Sequence, residues 1–445
     1  MSLHFQPNNE YSKLDEHTAM SIRFLSNTKY PQLPLDIIES SVTQNGGRVN
    51  GEFGGLKLTS AFQPIFSITH RRPVGYEGLL RAFEPNGTAV SPLEVFRSAH
   101  TESDVILLDR LCRNLHIRNF LSEADETSWI FINVSPQVIV NGKHYGAYFS
   151  DLLQRYGIPP HRVVVEILED EIHDEALLAD AVGYYKELGC LVAIDDFGAG
   201  HSNFERIWRI TPDIVKLDRS VITQAAQNRT VARVLPNLVN LIHESGSLAL
   251  IEGVETENEA LIAMDSGIDF VQGFYFGKPS EKLFPIETAD VRITELCGKF
   301  KTYSDDLEAH QQRELVHYVK AFKQSANIIQ AGASLEQACA GFLSQERAER
   351  CFMLNQEGLQ LGKNLVSYSR ASERDPRFLP VSNAEGANWS RRHYFRRAVS
   401  NPGEVQTTRP YLSVAEANMC ITLSIAIQVN DETRVFCCDL DWLGT

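Results

Sequence analysis

Short apolar runs that end on a carboxylate, an amide or a lysine recur between Gly75 and Gln272. They are Gly75-Tyr76-Glu77, Trp129-Ile130-Phe131-Ile132-Asn133, Val163-Val164-Val165-Glu166, Leu191-Val192-Ala193-Ile194-Asp195-Asp196, Ile214-Val215-Lys216, Leu248-Ala249-Leu250-Ile251-Glu252 and Phe270-Val271-Gln272. Segments of helical length separate them. Runs without polar alternation read as strands covered on both faces, and strands alternating with helices imply parallel βα units. The economical architecture is an α/β fold, a TIM-like (β/α)8 barrel. In such a barrel the carboxyl ends of the strands converge on one face, so residues distant in sequence share a pocket. Glu77, Asn133, Glu166, Asp195, Asp196, Lys216, Glu252 and Gln272 then have a common location. Taken singly, each also reads as a loop residue capping a neighbouring helix.

Five carboxylates around one mouth repel each other unless cations sit among them. Oxygen ligands with an amide, and without histidine or thiolate, favour hard ions such as Mg²⁺ or Mn²⁺ over zinc. The tandem Asp195-Asp196 would let one carboxylate bridge two metals while the other orients a water. Two ions about 4 Å apart clamp the attacking and leaving oxygens of a phosphoester. The chemistry expected is phosphodiester hydrolysis.

The same residues sit in ordered strings: Gln63-Pro64-Ile65, Glu77-Gly78-Leu79-Leu80-Arg81, Asn133-Val134-Ser135-Pro136, Glu166-Ile167-Leu168-Glu169, Asp195-Asp196-Phe197-Gly198-Ala199-Gly200, Lys216-Leu217-Asp218, Glu252-Gly253-Val254-Glu255 and Gln272-Gly273-Phe274. Over about residues 56 to 288 the chain resembles the EAL-domain phosphodiesterases of cyclic di-GMP. The resemblance implies two divalent ions, Mg²⁺ or Mn²⁺, held by Glu77, Asn133, Glu166 and Asp195, with Asp195 bridging. Asp196, Glu252 and Gln272 would complete the cation and water shell. Lys216 would hold or help deprotonate the attacking water, and Arg81 would face a substrate phosphate. Gln63, Leu79 and Asp218 would join Arg81 around the substrate, and Glu255 would tie down the loop after Asp196. Glu77, Asp196, Lys216, Glu252 and Glu255 form the implied catalytic group, cyclic di-GMP the substrate, linear pGpG the product and a homodimer the assembly. A non-catalytic receptor for the same dinucleotide is the rival reading; receptors of that kind usually lose metal ligands, and this chain keeps them.

Three positions depart from the family pattern. Gly78 stands where the family has alanine, Leu168 where it has threonine and Ile251 where it usually has alanine. None removes a ligand. Gly78 is expected to add backbone freedom beside Glu77, and Leu168 cannot supply a hydroxyl.

The chain has 445 residues, 43% of them hydrophobic, enough for at least two cores. A net charge of −15 argues against broad binding to nucleic acid or anionic membranes, so an anionic dinucleotide would need local cations. The eight cysteines show no metal-type spacing, and Cys437 and Cys438 should face opposite sides of a strand. Reduced thiols in the cytoplasm are expected. The start, Met1 to Glu10, lacks the basic and apolar regions of a signal peptide, and no run approaches a membrane span. No DNA-recognition helix, basic stripe or cyclase-type Gly-Gly-acid-acid-Phe string is visible.

Residues 1–55 read as a polar N-terminal extension, with glycine pairs at Gly46-Gly47 and Gly54-Gly55 taken as loop or packing arm, and with a short helix before Asn27. Residues 289–334 read as a helical connector, N-capped at Ser304 with Asp305 and Asp306 in the first turn. Its stripe of Leu315, Tyr318, Val319, Phe322, Ala326 and Ile329 is expected to pack on the barrel or on a partner helix. Residues 335–445 read as an antiparallel sheet with turns at Asn355 to Gly358 and at Asn430-Asp431. This part, through Trp389, Arg391, Arg392, Tyr394, Phe395, the string Pro410 to Ser413 and the string Cys437 to Asp441, resembles PAS/Cache-like sensor domains. The resemblance offers Trp389, Arg391, Tyr394, Tyr411 and Asp439 as a pocket for a small-molecule input; alternatively, Arg391 and Asp439 make a structural pair and the aromatics fill a core. Of thirteen histidines, only His201, in the loop after Asp196, lies near the expected site, as a substrate neighbour or a turn cap.

Overall fold

A run such as Val163–Leu168, buried at every position but the last, fits only a sheet covered on both faces. In the computed structural model, described over residues 32–141, 148–168, 174–200, 204–284, 286–367, 383–414 and 418–442, eight such strands close on themselves. They are β1 (Leu56–Ser67), β2 (Arg72–Phe83), β3 (Trp129–Val134), β4 (Val163–Leu168), β5 (Leu191–Phe197), β6 (Ile214–Leu217), β7 (Leu248–Ile251) and β8 (Phe270–Val271). The helix expected before Asn27, Glu169 and His201 lie outside the described residues. By contact density the chain forms two units, Met1–Lys301 and Thr302–Thr445.

Strands β2 to β8 pair in parallel around the barrel, and β1 closes it by pairing antiparallel with both β8 and β2. The run of parallel βα units therefore holds for seven strands only. The physical reason is the connection: β1 and β2 are joined by the turn Ile68 to Arg71, far too short for a crossover helix. Two further strands, Val42–Asn45 and Arg48–Phe53, extend the sheet antiparallel from β1. The glycine pairs are thus hairpin turns. Gly46, Gly47, Gly54 and Gly55 all take positive φ, as tight two-residue hairpins require. Their polar flanks hide these strands from a reading of local hydrophobic pattern, which takes the segment as loop or packing arm.

The barrel interior carries one apolar layer, built from Ile65, Phe131, Val164, Ala193, Ile214, Leu250 and Phe270. Side chains repeat inward every second residue along a strand. Two residues beyond this layer the pleat therefore turns Asn133, Glu166, Asp195, Lys216, Glu252 and Gln272 toward the same interior. Gln63 lies two residues from Ile65 in the reverse direction because β1 runs the other way, and it is paired across the ladder with Glu77.

Helix Glu102–Leu121 covers β1 and β2, opened by a capping box between Thr101 and Asp104. Its His116 is buried and hydrogen-bonded to Ser60 Oγ at 2.8 Å. The imidazole explains Gly78. A Cβ there would lie 2.9 Å from His116 Cβ and Cγ, and Gly78 has no positive φ. The missing methyl serves packing rather than backbone freedom.

Helix Ile286–Gln330 begins well before Ser304, which is therefore an interior residue and not an N-cap. Tyr318, Phe322, Ala326 and Ile329 are buried within the second unit, in the core they share with helix Leu335–Leu343. That unit is an antiparallel sheet of β9 (Ala348–Leu354), β10 (Gln360–Val366), β11 (Gln406–Thr407), β12 (Tyr411–Leu412), β13 (Met419–Val429) and β14 (Glu432–Asp441), with helix His393–Ser400. Asn430 and Asp431 both take positive φ in the two-residue turn between β13 and β14, as their residue types predict. Cys438 enters one core with Cys351, whose sulfur lies 2.9 Å away, and Cys437 enters the core on the other face with Tyr394. No helix among the described residues is long and apolar enough to cross a membrane.

Gly78→Ala should lower stability by about 1–3 kcal/mol through overpacking. In denaturant melts the Gly78→Ala/His116→Ala pair should be less destabilised than the sum of the single variants, since the new methyl then has room. Burial, with Arg81 adding repulsion, depresses the His116 pKa to about 3. The unfolded chain binds that proton near pH 6.5, so the folded state loses stability as pH falls below this value, by about 2 kcal/mol at pH 5. His116→Gln should flatten that part of the stability profile between pH 7.5 and 5.

Candidate active site

Lys216 on β6 is 1% exposed, and its ammonium has three carboxylates around it. Nζ lies 2.5 Å from Glu166, 2.6 Å from Glu252 and 3.0 Å from Asp195. At these distances the ammonium makes charge-assisted contacts, with Glu166 and Glu252 gaining hydrogen bonds from it. Burial alone would lower the lysine pKa. Asp195, Glu166, Glu252 and Glu77 outweigh it and hold the group well above its ordinary value.

The carboxylates outnumber the cation. Burial raises Glu166, with Glu77 and Asp195 adding repulsion that Lys216 only partly offsets. Burial also raises Glu252 to about 8, helped by Asp195 and Glu77. Glu77 on β2 accepts from Asn133 Nδ2 at 3.0 Å and from Gln272 Nε2 at 2.7 Å, which binds β3 and β8 to the same carboxylate.

Asp195 and Asp196 sit where the β5–β6 register shifts between Ile194 and Phe197. A bulge re-aims the residues it contains. Asp196 takes φ of 58°, and its N–H donates to Asp195 Oδ1 at 3.0 Å. This strained turn keeps Asp195 on the buried interior while Asp196 stands exposed beside it. Burial, then Asp195 and Asp218, raise the Asp196 pKa to about 6.

Asp195, Asp196 and Glu252 each present an oxygen within 4.8 Å of the others. Glu166 Oε2 and Gln272 Oε1 are buried without a hydrogen bond. An oxygen-only set with excess negative charge and orphaned acceptors fits a hard divalent cation.

The other expected residues divide. Gln63 donates to Gly277 O at 3.3 Å, and Leu79 is half-buried on β2. Arg81 donates to Leu80 O at 2.8 Å; burial lowers its pKa while Glu77 counters. Asp218 caps helix Arg219–Gln227 through Ser220 N at 2.9 Å. Glu255 lies outside the cluster and pairs with Arg219 at 2.9 Å, a partner that sequence reading missed. Gly253 has φ of 66° and lies against Arg219, so its glycine leaves that side chain its room.

In the second unit Trp389, Tyr394, Tyr411 and Asp439 line one cavity, but with Arg392 in place of Arg391, which is exposed. The Arg391–Asp439 pair is not formed. Asp439 instead binds Arg350, Nε to Oδ2 at 2.7 Å. The one arginine of strand Ala348–Leu354, a run buried at every position, was the available signal.

The family model of the EAL domain matches residues 49–279. YkuI of Bacillus subtilis, an uncharacterised EAL-domain containing protein, is 26% identical over 343 residues, covering 75% of this chain and 82% of its own. The cyclic di-GMP phosphodiesterase RocR of Pseudomonas aeruginosa is 25% identical over 269 residues, 60% of this chain and 68% of RocR. The crystal structure of YkuI in complex with substrate c-di-GMP and calcium superposes with a TM-score of 0.74 over 87% of this chain and 96% of that one, at 24% identity. At that identity the likeness establishes the fold, a closed barrel followed by a smaller β-rich unit.

Lys216→Met should destabilise the metal-free protein by about 3–5 kcal/mol, since it leaves buried carboxylates without their counter-charge. Mn²⁺ should raise the melting temperature of this variant more than that of the parent protein, measured against a chelator control. Equal shifts would mean that the cation and Lys216 do not share the carboxylates.

Proposed function

The chain belongs to the EAL domain family, and from that premise we propose that it is a metal-dependent phosphodiesterase opening one phosphoester of cyclic di-GMP to give linear pGpG. The observation that carries this reading is the convergence of Asp195, Asp196 and Glu252 beside the buried Lys216. In this reading Glu77, Asn133, Glu166, Asp195, Asp196, Glu252 and Gln272 hold two divalent ions, Mg²⁺ or Mn²⁺. Such ions supply positive charge to the phosphoryl oxygens as negative charge develops there.

The chain's own groups have separate tasks. Lys216, kept protonated by three carboxylates, holds Glu166, Asp195 and Glu252 in place and can donate to a water oxygen between them. Glu252 and Asp196, whose oxygens lie within 4.8 Å of Asp195, border that water and can accept hydrogen bonds from it. Arg81, whose guanidinium has only one backbone acceptor in the structure, is placed to face a phosphate. Gln63, Leu79 and Asp218 would border the dinucleotide, and Glu255, through Arg219, would support the segment after Glu252.

The second unit is proposed as a PAS/Cache-like input domain acting on the barrel, in a homodimer in the cytoplasm. Its two-faced antiparallel sheet and the cavity beside Trp389 support this reading.

Chromatography of cyclic di-GMP incubated with the purified chain should show conversion to the linear dinucleotide with Mg²⁺ or Mn²⁺ and none with chelator. Asp195→Asn and Glu77→Ala should each lower turnover by about two orders of magnitude or more while the protein stays folded. Full activity in either would overturn the residue assignment, and tight binding without conversion would favour a receptor.

A further inference from the structure

The second unit contains a cavity of about 380 Å³, within the range of small-molecule sites. Arg392, Arg397 and Arg409 line it together with His393, Tyr394 and Tyr411. Three guanidinium groups around one cavity repel one another, and the chain as a whole carries a net charge of −15. Carboxylates were therefore plentiful, yet among the described residues none forms an ion pair with these three arginines.

Two of the arginines are instead positioned by neutral neighbours. Arg392 stands 5.9 Å from the ring centroids of both Trp389 and Tyr411, a cation–π arrangement that orients the guanidinium without neutralising it. Arg397 donates to the Thr407 carbonyl at 3.3 Å. Arg392 is also the N-cap of helix His393–Ser400, and no side chain caps that end, so the first-turn N–H groups add to the positive potential.

The aromatic wall is held from behind. Tyr411 Oη and Thr422 Oγ1 are 2.7 Å apart, Thr422 Oγ1 donates to Asp439 Oδ1 at 2.6 Å, and Asp439 is paired with the buried Arg350. Arg350 also donates to Ser413 Oγ at 2.6 Å. This network fixes Tyr411 beside Tyr394, their centroids 6.4 Å apart and their planes 30° from parallel. Guanidinium forks match phosphate oxygens, and tyrosine faces match a flat ring.

We propose that this cavity binds a small phosphate-bearing ligand with a planar ring, of the nucleoside monophosphate class, the arginines taking the phosphate and the tyrosines the ring. The inference rests on the cavity's own chemistry; it names a ligand class for the proposed input domain, and its failure would leave the barrel reading untouched.

Calorimetric titration of the full chain with GMP, AMP, inorganic phosphate and citrate tests it. At least one nucleotide should bind at one per chain, more tightly than phosphate or citrate. Arg409→Glu, an exposed position whose replacement should leave the melting temperature unchanged, should weaken that binding by about tenfold or more. Nucleotide binding that survives Arg409→Glu belongs to the barrel and overturns the proposal. So do the absence of nucleotide binding at millimolar concentration and a preference for phosphate or citrate.

Discussion

Lys216 is the constraint on which the polar end of the barrel depends. Five carboxylates drawn to one mouth would not fold cheaply against each other, and one ammonium in their midst reduces the repulsion without removing it. Its burial is tolerable only because Glu166, Asp195 and Glu252 stand within 3.0 Å. Burial, with the surplus negative charge adding to it, raises the pKa values of Glu166, Glu252 and Asp196. A site that is stable yet under-neutralised is poised to gain free energy from a divalent cation, and folding and cation binding here draw on the same carboxylates.

Geometry places those groups with little freedom. An apolar layer from Ile65 to Phe270 sets the phase of the barrel strands, and the pleat delivers polar residues two positions later. At β5 the pattern needs an extra device, because two adjacent aspartates cannot both follow one pleat. The bulge and the left-handed Asp196 supply it. Packing from outside constrains the site as well. His116 occupies the space that a methyl on residue 78 would fill, so the helix behind β2 and the strand that presents Glu77 are fitted to each other.

The second unit follows a different electrostatic logic. The barrel concentrates acid around one lysine, whereas the cavity beside Tyr394 and Tyr411 gathers arginines with no acid among the described residues to match them. Arg350 and Asp439 pair in the layer beneath, and their pairing rather than Arg391 fixes the tyrosine wall. The two units thus present opposite charges to small ligands.

The sequence by itself determined the barrel class, because continuous apolar runs tolerate no other cover, and it determined which polar residues share a mouth, because strand ends in a barrel must converge. It also determined the hairpin at Asn430-Asp431, since those residue types accept the positive φ that the turn demands. Other features were settled only in three dimensions. The direction of β1 depended on the length of one turn, and the strands before it were hidden by polar alternation and glycine pairs. The start of helix Ile286–Gln330 was hidden by a Ser-Asp-Asp string that mimics a cap but lies on a continuing helix. Which arginine meets Asp439, why residue 78 is glycine, and that Glu255 meets Arg219 were decided by side chains brought together from distant parts of the chain. Local pattern encodes period and turn chemistry; partner choice between remote side chains is encoded only in the packed structure.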